Sequence, residues 1–135
     1  MAKFLIKKLR PIFEEYKMDF VYLGGSWVND ENHWWSDIDI FISFPTFLQL
    51  SSKNQLELLT QLNVKITDLT NYEEIEISIL EKLPLTVQFN AFAKGILIYE
   101  KNSKVCSHFL EKMLPIYYDH MIWYKKLIEQ SEYIS

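Results

Sequence analysis

Apolar side chains recur at near-helical spacing at both ends of this chain. Residues 3–17 show the pattern of an amphipathic helix, although Pro11 lies within it and could kink the helix or divide off its first turn. The aromatic-rich stretch from about residue 103 to 132 is also helical in pattern, and Pro115 predicts a break within it.

Two shorter helices are predicted between these ends. Residues 48–62 place leucines on one face, with Ser51 or Ser52 as the N-terminal cap. Residues 84–94 open with a proline and are followed by Gly95, a residue typical of the position after a helix C-terminus.

Period-two alternation and short apolar runs predict strands in the remaining segments. The predicted strands are residues 20–23, 37–42, 64–69, 75–80 and 96–99. Without repeats or an internal linker, this order predicts one α+β domain over residues 1–135, with a small mixed β-sheet flanked by helices and a C-terminal helical segment.

Composition narrows the classes of function. The 135 residues have a net charge of -4 and contain no basic run, which disfavours direct nucleic-acid binding. A single cysteine, Cys106, excludes an internal disulfide and any multi-cysteine zinc site. The chain shows neither a secretion signal nor an apolar stretch of membrane-spanning length, so we expect a cytoplasmic protein without a membrane partner.

A glycine-serine turn followed by paired carboxylates is the strongest chemical signal. Gly25 and Ser26 follow a predicted strand, where backbone N–H groups and the hydroxyl could bind phosphate. Asp37 and Asp39 lie two apart on the next predicted strand, so their side chains share one face. Each feature alone is usually an ordinary turn or a solvated surface. Together they predict a site for divalent cations and nucleotide phosphates.

The motif resembles the signature of the DNA polymerase β-like nucleotidyltransferase superfamily. The similarity rests on Gly25-Ser26, ten intervening residues, and Asp37-x-Asp39 with Ser36 directly before it. The closer resemblance is to minimal nucleotidyltransferases, including MntA-type antitoxins encoded beside HEPN-domain toxins. Looser matches to that group are residues 20–26, 95–100 and 114–120.

This resemblance implies a polymerase β-like fold and an Mg²⁺-dependent protein adenylyltransferase. Two Mg²⁺ ions would be held by Asp37, Asp39 and a third acid, and ATP would be the substrate, with Gly25, Ser26 and Ser36 at the nucleotide. The implied partner is a HEPN ribonuclease toxin, whose hydroxyl, in particular that of a tyrosine, would receive AMP as pyrophosphate is released.

Two residues compete for the role of third carboxylate. Glu76 lies among alternating isoleucines, which resembles the hydrophobic-acid-hydrophobic strand of the family, and it is the favoured choice. Asp68 lies closer to Asp39 in sequence and is the alternative. Either acid could instead be an ordinary solvent-facing residue.

Departures from the family pattern support a second function class. Trp27 and Asp30 stand where family members commonly have a basic residue and a glycine, and an acid near a phosphate turn would repel a nucleotide. The alternative is therefore a weak or inactive transferase that neutralises its toxin by complex formation. The C-terminal aromatic residues could form a partner interface or pack across the sheet. The sequence also leaves open whether the protein forms a homo-oligomer.

Overall fold

A computed structural model of the chain describes the backbone of residues 2–24, 38–71 and 74–134, and the side chains of residues 6–24, 38–71 and 74–129. The helices in these ranges are Ala2–Glu15 (α1), Ser52–Thr70 (α2), Leu85–Lys94 (α3) and Val105–Ile134 (α4). The strands are Phe20–Gly24 (β1), Ile38–Ser43 (β2), Ile75–Ile79 (β3) and Ile96–Glu100 (β4). Short 3-10 helices span Pro45–Gln49 and Leu80–Lys82.

The strands form one mixed sheet in the order β3-β2-β1-β4. β1 pairs antiparallel with both β2 and β4, while β2 and β3 run parallel. Helix α2 makes the crossover between the two parallel strands, as such a pair requires. The predicted α+β class and mixed sheet are confirmed.

Alternation along the strands divides the apolar residues between two faces of the sheet. One face packs against α1 and α2 in the larger core, which contains Leu9, Phe13, Val21, Leu23, Ile38, Ile40, Ile42, Leu62 and Ile66. The other face carries a smaller core with α3 and α4, made of Phe20, Tyr22, Leu80, Ala91 and Cys106. The sheet is therefore sandwiched between two pairs of helices.

The predicted strand over residues 64–69 is wrong, because these residues form the last turns of α2. Leu62 and Ile66 are buried four residues apart on one helical face, and this packing outweighs the local strand preference of the β-branched residues. The predicted helix over 48–62 begins four residues later than expected. Ser51 is its cap, since its hydroxyl accepts a hydrogen bond from the Asn54 N–H at 3.2 Å.

Prolines do not interrupt the terminal helices. α1 continues through Pro11, and α4 continues through Pro115, so the predicted break at Pro115 is wrong. The other helix and strand predictions are confirmed to within a few residues, including the end of α3 at Gly95. A Cβ at Gly95 would collide with the carbonyl oxygen of Ala91, so the close turn into β4 requires glycine. Among the described residues, no helix combines the length and the apolar character needed to cross a bilayer.

Candidate active site

Three neighbouring strands bring a glycine and two carboxylates into one row. Gly24, the last residue of β1, pairs with Asp39 of β2, and Asp39 pairs with Glu76 of β3. Paired strands lie about 5 Å apart, and directly paired residues point to the same side of the sheet. Asp39 and Glu76 are therefore adjacent on one face, next to the point where the chain leaves β1.

The hydrophobic pattern of β2 determines which face carries the acids. Ile38 and Ile40 are buried against α1 and α2, so Asp39 between them points to the opposite face. That face is covered farther along by α3 and α4. Asp39 is half-buried and Glu76 is exposed, so the Glu76 side chain is accessible from solvent.

Gly24 is in close contact with an aromatic ring in this row. A Cβ built on Gly24 would lie 2.7 Å from Cε2 of Phe41 and 3.6 Å from Cβ of Asp39. The first distance is much shorter than an ordinary carbon–carbon contact of 3.5–4.0 Å. Glycine thus allows the Phe41 ring to lie against the end of β1, immediately beside Asp39.

A part-buried pair of side chains joined by a hydrogen bond fixes the far end of β2. The Ser43 hydroxyl donates to Oε1 of Glu81 at 2.6 Å, and the Phe44 N–H donates to Oε2 at 3.1 Å. Glu81 belongs to the 3-10 helix directly after β3, so this carboxylate ties together the two strands that carry Asp39 and Glu76. Sequence reasoning missed it, because no local pattern links residues 38 positions apart.

A second polar pair lies deeper on the same face. The Tyr22 hydroxyl and the Cys106 thiol are 3.5 Å apart in the smaller core. Burial raises the pKa of Tyr22 well above its usual range, with the Cys106 contact adding to the effect. Burial also raises the pKa of the Cys106 thiol, against an opposing effect of the Tyr22 hydrogen bond. Both groups are therefore neutral near pH 7 and serve to anchor α4 to β1.

The structure brings some of the predicted site residues together and separates one. Asp39 and Glu76 are neighbours, whereas Asp68 is exposed on α2 and belongs to no strand. Gly25, Ser26, Ser36 and Asp37 lie outside the described residues, as do Trp27 and Asp30. In residues 6–24, 38–71 and 74–129, no group of three potential ligands could by itself hold a metal ion. The predicted three-acid set depends on Asp37 as well.

The donor chemistry of the described pair fits a hard divalent cation. Two carboxylates on neighbouring strands repel each other unless positive charge lies between them. Carboxylate oxygens are also the protein ligands that Mg²⁺ prefers, commonly one or two at a time, with phosphate oxygens completing its shell. This arrangement is suited to holding a metal-bound phosphate chain at the end of β1.

Comparison with known proteins agrees with this geometry. The family model described as "Polymerase beta, Nucleotidyltransferase" matches residues 7–104, which include every strand of the sheet. No curated protein sequence matches the chain.

Solved structures of similar fold come from toxin–antitoxin pairs. A toxin–antitoxin structure with AMP-PNP has a TM-score of 0.72 at 17% identity, covering 93% of this chain and 96% of that one. The structure of a tri-AMPylated Shewanella oneidensis HEPN toxin in complex with MNT antitoxin has a TM-score of 0.70 at 16% sequence identity, covering 96% of this chain and 98% of that one. The structure of a mutant of the toxin–antitoxin MntA-HpeT has a TM-score of 0.67 at 17% sequence identity, covering 96% of this chain and 97% of that one. At these identities the likeness establishes a shared fold.

Proposed function

The chain belongs to the polymerase β nucleotidyltransferase family, and we propose that it transfers AMP from ATP to a hydroxyl of a partner toxin and so acts as an antitoxin. The observation that carries this proposal is the strand register. In this register Asp39 pairs with Gly24 on one side and with Glu76 on the other, and Gly24 is the last residue before the predicted phosphate turn.

In the proposed reaction, the acceptor oxygen forms a bond to the α-phosphorus of ATP. The bond between that phosphorus and the oxygen bridging to the β-phosphate breaks, and pyrophosphate leaves. Glu76 orients the acceptor hydroxyl and takes up its proton, which then passes to solvent. Because Glu76 is exposed, a macromolecular acceptor can reach it without rearrangement of the described strands.

The remaining site residues hold the nucleotide in this proposal. Asp37, Asp39 and Glu76 would hold two Mg²⁺ ions, which when bound neutralise phosphate charge and favour ionisation of the attacking hydroxyl. Gly25, Ser26 and Ser36 would contact the triphosphate through backbone N–H groups and hydroxyls. Phe41, packed against Gly24, keeps the base of this turn close to Asp39.

The proposed partner is a HEPN-domain toxin, and the proposed acceptor is one of its tyrosine hydroxyls. Support for the partner comes from the similar structures, which include a HEPN toxin carrying AMP groups in complex with an MNT antitoxin. The tyrosine acceptor rests on the family resemblance. A cytoplasmic location follows for an antitoxin that meets a ribonuclease toxin where its RNA substrates are.

Transfer of labelled AMP tests this function. The full chain is incubated with α-labelled ATP, Mg²⁺ and the helical protein encoded beside it, and label on that protein is measured. Glu76→Gln and Asp39→Asn should each reduce the initial rate at least about a hundredfold, because charge and proton acceptance are lost. Asp68→Asn is the matched control and should retain the wild-type rate, since Asp68 lies on the surface of α2.

Two outcomes would overturn parts of the proposal. If Glu76→Gln transferred AMP at the wild-type rate and Asp68→Asn were slow, Asp68 rather than Glu76 would be the third acid. A second outcome would be that the wild type transfers no label, while wild type and Asp39→Asn both still neutralise the neighbouring protein. The enzyme would then be replaced by the alternative, an antitoxin that neutralises its toxin by stoichiometric binding.

A further inference from the structure

The second half of α4 exposes large apolar side chains. After Pro115 the helix continues for residues 116–129, here called the distal half, and each described residue from 118 onward is exposed. The exposed fractions of its large apolar residues range from 39% to 60%. Such a concentration is unusual for a solvated helix and indicates a contact surface.

The exposed side chains continue a stripe that is packed in the first half of the helix. Residues seven apart lie on nearly the same helical face. Phe109 packs in the smaller core, and Ile116 and Trp123 follow it at this spacing. In the neighbouring row, Leu110 packs in the same core and is followed by Tyr117, which stacks on Phe89 with ring centroids 4.0 Å apart, and then by Tyr124.

The apolar stripe of α4 is therefore longer than the surface of the smaller core and α3 that covers its first half. Trp123 and Tyr124 remain 59% and 51% exposed although they lie on the packing face of α4. A residue on that face is expected to be covered by another helix or sheet. In the described part of the chain, the packing partner of this face ends near Tyr117.

Charges beside the stripe are self-complementary. Asp119 and Lys126 lie seven residues apart on one flank, next to the row of Ile116 and Trp123. In an antiparallel pair of such helices, with the two-fold axis between Ile122 and Trp123, Asp119 of each copy lies beside Lys126 of the other. Same-flank residues face each other in this arrangement. Two symmetric ion pairs result, and Met121 meets Tyr124 by the same symmetry.

We propose that the distal half of α4 binds the same segment of a second copy of this chain, as an antiparallel helix pair. Half-exposed side chains of this size offer roughly 500 Å² of apolar surface per copy. This area lies at the small end of specific interfaces, which predicts reversible dimerisation in the micromolar range. The opposite charges select the antiparallel register rather than supply most of the affinity. The inference does not depend on transfer activity.

Sedimentation velocity of the full chain over roughly 1–200 μM tests the proposal, because this range brackets a micromolar dissociation constant. The wild type should pass from monomer to dimer. Asp119→Lys and Lys126→Asp should each raise the dissociation constant about tenfold, because each sets two like charges side by side. The double variant Asp119→Lys/Lys126→Asp should restore it, since the pairs re-form with reversed polarity.

Further variants separate this surface from general surface effects. Trp123→Asp should abolish the dimer, while Leu56→Asp, at a residue 68% exposed on α2, should leave it unchanged. Circular dichroism of each variant checks that the fold is retained. A wild type that stays monomeric across the range would overturn the proposal. So would a dimer that Asp119→Lys and Lys126→Asp each leave intact, or a Trp123→Asp protein that still dimerises but no longer binds the neighbouring toxin.

Discussion

At the scale of single residues, Gly24 shows how little space the candidate site allows. A methyl group at this position would press on the Phe41 ring at 2.7 Å and would also touch the Cβ of Asp39. The neighbouring ring or strand would have to move. Asp39 is paired directly with Gly24, so a shift of strand β2 at this point would also move Asp39.

We predict that Gly24→Ala lowers the free energy of unfolding by about 1–3 kcal/mol, the usual cost of overpacking. Urea unfolding followed by circular dichroism measures it. The double variant Gly24→Ala/Phe41→Leu should recover part of the loss, because the smaller side chain makes room. An unchanged stability of the single variant would show that the Phe41 ring moves away freely.

Glu81 accepts two hydrogen bonds at the far end of β2. Glu81→Ala would leave the buried Ser43 hydroxyl and the Phe44 N–H without their acceptor, at a cost of about 1–3 kcal/mol. Glu57→Ala, at an exposed residue of α2, is the control and should change stability by no more than about 0.5 kcal/mol. Equal melting curves for the two variants would contradict the role given to Glu81.

These residues mark the limit of what sequence could predict at the site. Alternation around Glu76 and the Asp-x-Asp spacing were sufficient to select the two acids that the sheet makes neighbours. Phe41 and Glu81 could not be selected in this way. Their roles come from contacts across strands, with Gly24 and Ser43, and these contacts depend on the register of the folded sheet.

At the scale of elements, the contact between β1 and α4 predicts a pH dependence of stability. The pKa of the Cys106 thiol is raised in the folded protein mainly by burial. The folded state therefore keeps a proton that the unfolded chain releases above about pH 8.5. The stabilisation is complete below that pH and is lost as pH rises toward the folded-state pKa. The raised pKa of Tyr22 extends the same trend to higher pH.

We expect the free energy of unfolding to fall between about pH 8.5 and 10 and to fall less steeply for Cys106→Ala. The comparison is of slopes, because the substitution also removes packing in the smaller core. Guanidinium titrations at several pH values provide the measurement. Parallel slopes for the two proteins would exclude Cys106 as the source of the pH dependence.

Two predictions of secondary structure from local sequence patterns were wrong. Residues 64–69 have the β-branched composition of a strand, yet they complete α2 because Leu62 and Ile66 pack together on the larger core. Pro115 also lies within a helix that continues through it, and nothing in the structure explains why the helix is not broken there. In α2, therefore, tertiary packing outweighed the preference of individual residues.

At the scale of the whole molecule, the order of strands makes Gly24, Asp39 and Glu76 neighbours. β3 joins the sheet beside β2 only after the long crossover of α2, which is why Glu76 reaches Asp39 from 37 residues away. The acidic net charge of -4 makes a bound divalent cation the natural means of holding an anionic nucleotide here.

If Asp39 and Glu76 form one metal–nucleotide site, the binding of Mn²⁺, measured by electron paramagnetic resonance, should depend on both carboxylates. With ATP present, the wild type and Asp68→Asn should bind Mn²⁺ equally well. Glu76→Gln and Asp39→Asn should each bind at least about tenfold more weakly, because each removes a charged oxygen ligand. Equal Mn²⁺ affinity in wild type, Glu76→Gln and Asp39→Asn would show that these two carboxylates do not form a metal–nucleotide site.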